Sequence, residues 1–333
     1  MTLSLKSIYF TCILLILFAH NPAIALDSKQ DFSRPDRIPF PEDNAYSVEK
    51  AALGKMLFFD PRLSKNRNMT CATCHNPSFG WEDATQSATG AQNTRLDRHS
   101  PTIINVAWNK SFFWDGRAAT LEEQAKGPIE SAVEMNLPIE EAVARLSAIE
   151  EYRTWFTRVF GNAGITADNI AKALATYERT VVSGQAPFDN WVEGDDNALS
   201  PSAKRGFDLF VGKAKCSGCH SGWNFSDQEF HDIGLSGTDK GLGALTGRSD
   251  QAFAFKTPSL RNIGQRAPYM HDGRFEDLKA VIASYISGGI QRRSLSKKMF
   301  PLTLSEQEIA DLEQFLLSLT GEDTAVSLPL LPY

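Results

Sequence analysis

Two copies of one pentad restrict this chain more than anything else in it. Cys71-Ala72-Thr73-Cys74-His75 is echoed by Cys216-Ser217-Gly218-Cys219-His220. In C-x-x-C-H the two thiols lie about one helical turn apart, so both add to the vinyl groups of one haem while the following His turns its imidazole onto the iron. The pattern predicts two covalently held c-type haems, attached through Cys71, Cys74, Cys216 and Cys219 and ligated by His75 and His220. Paired Cys and His also bind zinc, but zinc modules bring their pairs within roughly a few tens of residues. Here Cys71 and Cys216 stand 145 residues apart, and each pair has its own adjoining His.

A length of 333 residues allows two domains with real cores, and a hydrophobic fraction of 42% is ordinary for a globular protein. Residues 1 to 25 read as a secretory signal: Lys6, an apolar run from Ile8 to Ala19, then Ala23-Ile24-Ala25 as the cleavage site. The run is short for a membrane span, so the expected product is an exported, periplasmic protein beginning near Leu26. Cleavage removes Cys12, and the four remaining cysteines all lie in the pentads, which leaves none for a disulfide. It also removes Lys6, leaving 33 basic against 40 acidic residues and a formal charge of −7. Such a mildly acidic chain is a poor candidate for nucleic acid, though its surface can steer a basic partner.

The periodicity predicts helices over Tyr46 to Phe59, Ile139 to Phe160, Thr166 to Val182 and the stretch after Ser305. Ser183-Gly184-Gln185-Ala186-Pro187 and Gly194-Asp195-Asp196-Asn197 read as a linker. The expected architecture is mostly α, with two cytochrome c-like domains over residues 26–190 and 191–333, each carrying one haem.

The two halves repeat each other. Gly54-Lys55-Met56-Leu57-Phe58 precedes the first pentad as Gly206-Phe207-Asp208-Leu209-Phe210 precedes the second. Pro101 to Asn105 matches Pro258 to Asn262, and Asp115-Gly116-Arg117 matches Asp272-Gly273-Arg274, without a gap between the two blocks. Carried forward, that register aligns Leu121 with Leu278 and Pro128 with Tyr285. A Tyr oxygen can ligate ferric iron, whereas a Pro side chain has no ligand atom. The pairing predicts an N-terminal haem with an open face, suited to peroxide, and a C-terminal haem closed by Tyr285, suited to storing and passing electrons.

Either side of Pro128 stand Gln124 and Glu134. Splitting hydrogen peroxide moves a proton from one oxygen to the other, work that a partly buried carboxylate can do. Glu134 is the expected acid/base and Gln124 its hydrogen-bonding partner, although both also read as surface residues of a helix. Trp114 occupies the register position of His271 and could relay electrons between haems or simply pack in the core. His99 reads as a distal base, a sixth ligand or a hydrogen-bonded loop histidine. His231 and His271 read as hydrogen-bonding residues near haem propionates, and Met270 is a competing ligand to Tyr285.

Taken together, the runs LGKMLFFDPRLS, CATCH, RHSPT, FFWDGR, LEEQAKGP, VEM, CSGCH, FKTPSLRN, APYMHDGR and SYISGG closely resemble the bacterial dihaem cytochrome c peroxidase family over nearly the whole mature chain. The resemblance implies two helical cytochrome c-like domains in the periplasm, a calcium ion between them, and peroxide reduction at the N-terminal haem. It places Trp114 between the haems, Gln124, Pro128 and Glu134 in the peroxide pocket, and Thr257 and Pro258 where backbone carbonyls hold calcium. His99 stands where the family commonly has an Asn that helps bind that ion. Tyr285 replaces the Met that closes the C-terminal haem in the better-known peroxidases, and Ala91 follows Gly90 where those proteins have a His. Both departures are similar to the MauG-like branch, in which the first haem stays open.

The expected function is therefore a dihaem peroxidase taking electrons from a small cytochrome c or cupredoxin, or from an aromatic residue of a protein substrate. The rival readings are a cytochrome c peroxidase that needs reduction of one haem before turnover, and a non-enzymatic dihaem electron carrier.

Overall fold

The helices begin where the sequence supplies caps. In the computed structural model, which describes residues 28–322 and 325–333, Ser47, Thr120, Thr166, Ser200, Asp277 and Ser305 each accept a hydrogen bond from the backbone N–H three residues on. The expected leader lies outside the described residues. The helices are α1 (Val48–Phe58), α2 (Cys71–Cys74), α3 (Leu121–Glu130), α4 (Ile139–Ser147), α5 (Glu150–Phe160), α6 (Ala167–Arg179), α7 (Pro187–Val192), α8 (Pro201–Val211), α9 (Leu242–Thr246), α10 (Leu278–Ile286) and α11 (Glu306–Leu317). One small antiparallel ladder joins β1 (Phe230–His231) to β2 (Phe255–Lys256). The protein is mostly helical, as expected, and no helix among the described residues is long and apolar enough to cross a membrane.

The single helix expected over Ile139 to Phe160 is in fact two. Ile149 adopts an extended conformation between α4 and α5, yet both helices bury one face on the same core, so the apolar spacing runs on across the break.

Each half is built on one tight helix crossing. α1 packs on α6 and α8 on α11, and a glycine permits each approach. A Cβ on Gly54 would sit 1.9 Å from the Ala173 carbonyl oxygen, and one on Gly206 would sit 2.0 Å from that of Asp311. Nothing larger than hydrogen fits at either place, which explains why glycine opens both copies of the repeated segment.

Beyond the pentads the duplication holds to the residue. Asn105 and Asn262, 157 positions apart, both take left-handed backbone (φ 61° and 55°) and both precede a turn of 3₁₀ helix. The bridge between Phe112 and Ala118 recurs between Tyr269 and Phe275 at the same offset. Thr120 caps α3 as Asp277 caps α10, so Pro128 and Tyr285 occupy the same turn of equivalent helices.

Two hydrophobic cores result, one running from Leu53 to Val181 and a second that includes Phe188, Phe207, Phe210, Phe225 and Phe315. The chain termini cross over between them. Phe32, fully buried, stacks on Phe225 with ring centroids 4.9 Å apart and so completes the second core from the N-terminal end of the described chain. Val326 and Leu331, after α11, pack on the first core. Arg34 holds the first strap in place through the Ser183 carbonyl at 2.7 Å and Asp189 at 3.3 Å, and the same Asp189 accepts from buried Arg261 at 2.6 Å. Ser183, expected in a linker, is thus buried in a hydrogen-bonded junction with Asn105.

Candidate active site

α2 is a four-residue turn that begins at Cys71 and ends at Cys74, with Thr70 at its N-cap and His75 at its C-cap. His75 Nδ1 lies 3.3 Å from the Trp81 carbonyl, and His220 Nδ1 lies 2.9 Å from that of Phe225. Fixing Nδ1 on a carbonyl orients the ring and leaves Nε2 free for a metal. Burial lowers both imidazole pKa values, which favours the neutral, ligating form. Burial also pushes the Cys74 and Cys216 thiols up to about 12. All four described cysteines are free of disulfides. The two pairs do not converge as a zinc site requires. Among the described residues, the one cluster of such donors within 4.8 Å joins Cys219, Asp227 and His231.

The first pentad opens onto a cavity of about 1050 Å³, at the upper end of the usual range for cofactor pockets. Gln124, Pro128 and Glu134 line it together with Cys71, Cys74 and His75. Pro128 interrupts the last turns of α3, and its ring offers the cavity no donor or acceptor. Among the described residues neither the Gln124 amide nor the Glu134 carboxyl has a side-chain hydrogen-bond partner. Burial raises the Glu134 pKa, with Arg117 acting in the opposite sense. The cavity thus presents one amide and one proton-binding carboxyl with uncommitted polar atoms beside a ligand-free proline.

Trp114 is buried in the wall of the same cavity and locked between the halves. Its indole N–H donates to the His99 carbonyl at 2.8 Å, and its own carbonyl accepts from Lys256 N–H at 2.8 Å. His99 is committed elsewhere: its ring nitrogens lie 2.9 Å from Glu82 and 2.8 Å from the Thr85 carbonyl. Burial opposes charge on this ring, but the Glu82 hydrogen bond and attraction outweigh it and raise the pKa. A ring so engaged is a hydrogen-bonded loop histidine and not a sixth ligand.

His271 stacks on Phe255 at 3.7 Å, and burial lowers its pKa to about 4. His231 lies 2.8 Å from Asp227, beside Cys219. Near the second pentad, Tyr285 lies on α10 within the electrostatic reach of Cys216 and Cys219; burial and then these two thiols raise its phenol pKa.

Sequence reasoning missed two cations in the first cavity, Lys256 inside a run used for the resemblance and Arg266 just before another. Arg266 is buried; it pairs with Glu82 at 3.0 Å, while its Nε has no partner. Lys256 donates to the Ser111 carbonyl at 2.6 Å, and burial lowers its pKa to about 8. An orphaned guanidinium N–H and a desolvated ammonium in one cavity fit a group bearing carboxylates, as haem does.

The family model for di-haem cytochrome c peroxidase matches residues 48–197, and the model for cytochrome c matches residues 203–320. The methylamine utilization protein MauG of Methylorubrum extorquens is 49% identical over 308 residues, covering 91% of this chain and 87% of its own. The MauG of Methylophilus methylotrophus is 48% identical, covering 92% and 93%. A crystal structure of a MauG-like protein associated with microbial copper homeostasis superposes with a TM-score of 0.80 at 33% identity, over 87% of this chain and 95% of that one. Two c-type pentads with oriented histidines, in two cytochrome c-type domains, carry these likenesses, and the chain belongs to the di-haem cytochrome c peroxidase family as a dihaem oxidoreductase acting on peroxide.

Proposed function

We propose that this protein is a periplasmic, MauG-like peroxidase that reduces hydrogen peroxide at its N-terminal haem. The observation that carries the reading is the asymmetry at one register position, where Pro128 lines the first cavity and Tyr285 stands near the second pentad. When bound at the first pentad, haem supplies an iron that receives peroxide and its oxidising equivalents. Cys71 and Cys74 would attach that haem, His75 would hold its iron, and Arg266 and Lys256 would neutralise its carboxylates. Cys216, Cys219, His220 and Tyr285 would hold the second.

Glu134 would take a proton from one oxygen of hydrogen peroxide and return it to the other, with the Gln124 amide holding the pair in place. The raised proton affinity of Glu134 suits a group that must both accept and release a proton. Trp114, fixed at its N–H and its carbonyl, would pass electrons between the two haems, a role supported by its bonds to both halves of the chain. The electrons come from a small cytochrome c or cupredoxin, or from an aromatic residue of a protein substrate. A calcium ion would rest on the Thr257 and Pro258 carbonyls and on water. Thr257 already accepts the Ser226 hydroxyl at 2.6 Å, and His99 offers no oxygen, so the site would be weak.

Peroxide added to the fully ferric protein tests this reading. An immediate change in the haem spectrum is expected. Silence until one haem is reduced would indicate an ordinary cytochrome c peroxidase, and a wholly low-spin ferric spectrum an electron carrier.

A further inference from the structure

One acid in the first cavity takes no part in this scheme. Glu178, near the C-terminal end of α6, is 5% exposed and lines the cavity alongside Cys71. Among the described residues nothing donates a hydrogen bond to its carboxyl. The neighbouring Arg179 is turned away, held by Glu122 through bonds of 2.6 and 2.9 Å. A buried carboxylate without donors costs several kcal/mol, whereas the protonated acid is far cheaper to bury. Glu178 is therefore kept as a neutral acid. Burial raises its pKa to about 8, Arg179 pulling down and Glu122 pushing up.

The groups that face it leave little else to titrate with it. Cys71 on α2 senses its charge but becomes a thioether once haem is attached, and Tyr177 beside it is itself raised by burial. Glu122 on α3 and Arg179 satisfy one another, and Lys50 on α1 stands on their side. Glu134, the other proton-binding carboxyl of the cavity, registers on Cys74 and not on Cys71. The two acids thus address different edges of one site.

We propose that Glu178 is a proton-exchanging partner of the N-terminal haem, releasing its proton when that haem loses an electron and regaining one when the electron returns. This rests on the first pentad being a haem site and does not depend on the role of Glu134. The electron passes to the oxidant, peroxide in turnover or a soluble mediator in the test. The O–H bond of Glu178 breaks and its proton passes to water. The carboxylate left behind offsets the positive charge gained by the haem, an interaction that low dielectric strengthens.

The test uses the purified dihaem protein. Potentiometric titration across neutral and alkaline pH is expected to show the N-terminal haem potential falling with pH by about one proton per electron, a dependence retained in E178D with a displaced midpoint and lost in E178Q. In redox-triggered infrared difference spectra, oxidation is expected to remove a protonated-carboxyl C=O band that persists in E134Q and is absent from E178Q. Should E178Q fail to fold, the wild-type and E134Q spectra decide: absence of the band from either overturns the proposal. A potential with unchanged pH dependence in folded E178Q also overturns it. If mass spectrometry finds no haem on Cys71 and Cys74, the underlying site reading fails instead.

Discussion

Replacing Glu134 by Gln removes one proton-binding group from the first cavity and leaves its shape nearly intact. The size of the loss follows from what remains nearby. Glu82 is held by Arg266 and His99, Asp115 by Arg98 at 2.6 Å and Arg117 at 3.1 Å, and Asp239 by Arg98 at 2.7 Å. Glu178 is neutral and lies toward Cys71. Asp272 is held by Arg274, and the one unpaired carboxylate left among the described lining residues, Asp97, is exposed to water, so the loss should fall in the middle or upper part of the range of about 10²–10⁴ for a positioned acid/base. A fall of about 10³ corresponds to about 4 kcal/mol of barrier. Stopped-flow mixing of ferric protein with excess peroxide measures it as the second-order rate of the spectral change. In the wild type that rate should climb as pH rises through the raised Glu134 pKa, because the carboxylate is the accepting form; E134Q should lack the climb. A loss smaller than about tenfold, with both haems present, would refute the assignment.

Tyr285→Phe should alter the electron paramagnetic resonance and absorption signatures of the C-terminal haem and spare those of the other; an unchanged C-terminal haem would return Met270 to contention. Gly206→Ala should destabilise the protein by about 1–3 kcal/mol in denaturant titration, since the new methyl would lie 2.0 Å from the Asp311 carbonyl oxygen. A change within about 0.5 kcal/mol would mean that the α8/α11 crossing yields freely. His99 has a folded pKa raised above 6.5, so its ion pair stabilises the protein fully below pH 6.5 and the contribution fades as pH rises through the raised value. H99Q should flatten that part of the stability profile, and an unaltered profile would show that Glu82 does not charge the ring.

What the sequence displayed best was whatever recurs or caps. The 157-residue register carried Asn105 to Asn262 and Pro128 to Tyr285 because equivalent backbone geometry needs the same residue types at turns and caps. Gln124 and Glu134 were found from that register, and they line the cavity with Pro128. Three features were hidden. The break at Ile149 leaves the apolar period undisturbed. Ser183-Gly184 has the composition of an open linker, but Gly184 is pressed on the Glu322 backbone, 2.0 Å from where a Cβ would be. Glu178, Lys256 and Arg266 occupy otherwise ordinary helix, strand or loop positions; only the fold reveals that each faces the cavity, because burial of a charge is a property of its neighbours.

The crossed termini set a rule for taking this molecule apart. Phe32 plugs the hydrophobic interior of the far half, and Val326 and Leu331 lie across that of the near half. A cut at the midpoint would therefore give two fragments, each missing a stopper that the other carries away. Mechanical linkage of this sort discourages one half from swivelling against the other, and so holds the two pentads at a constant separation.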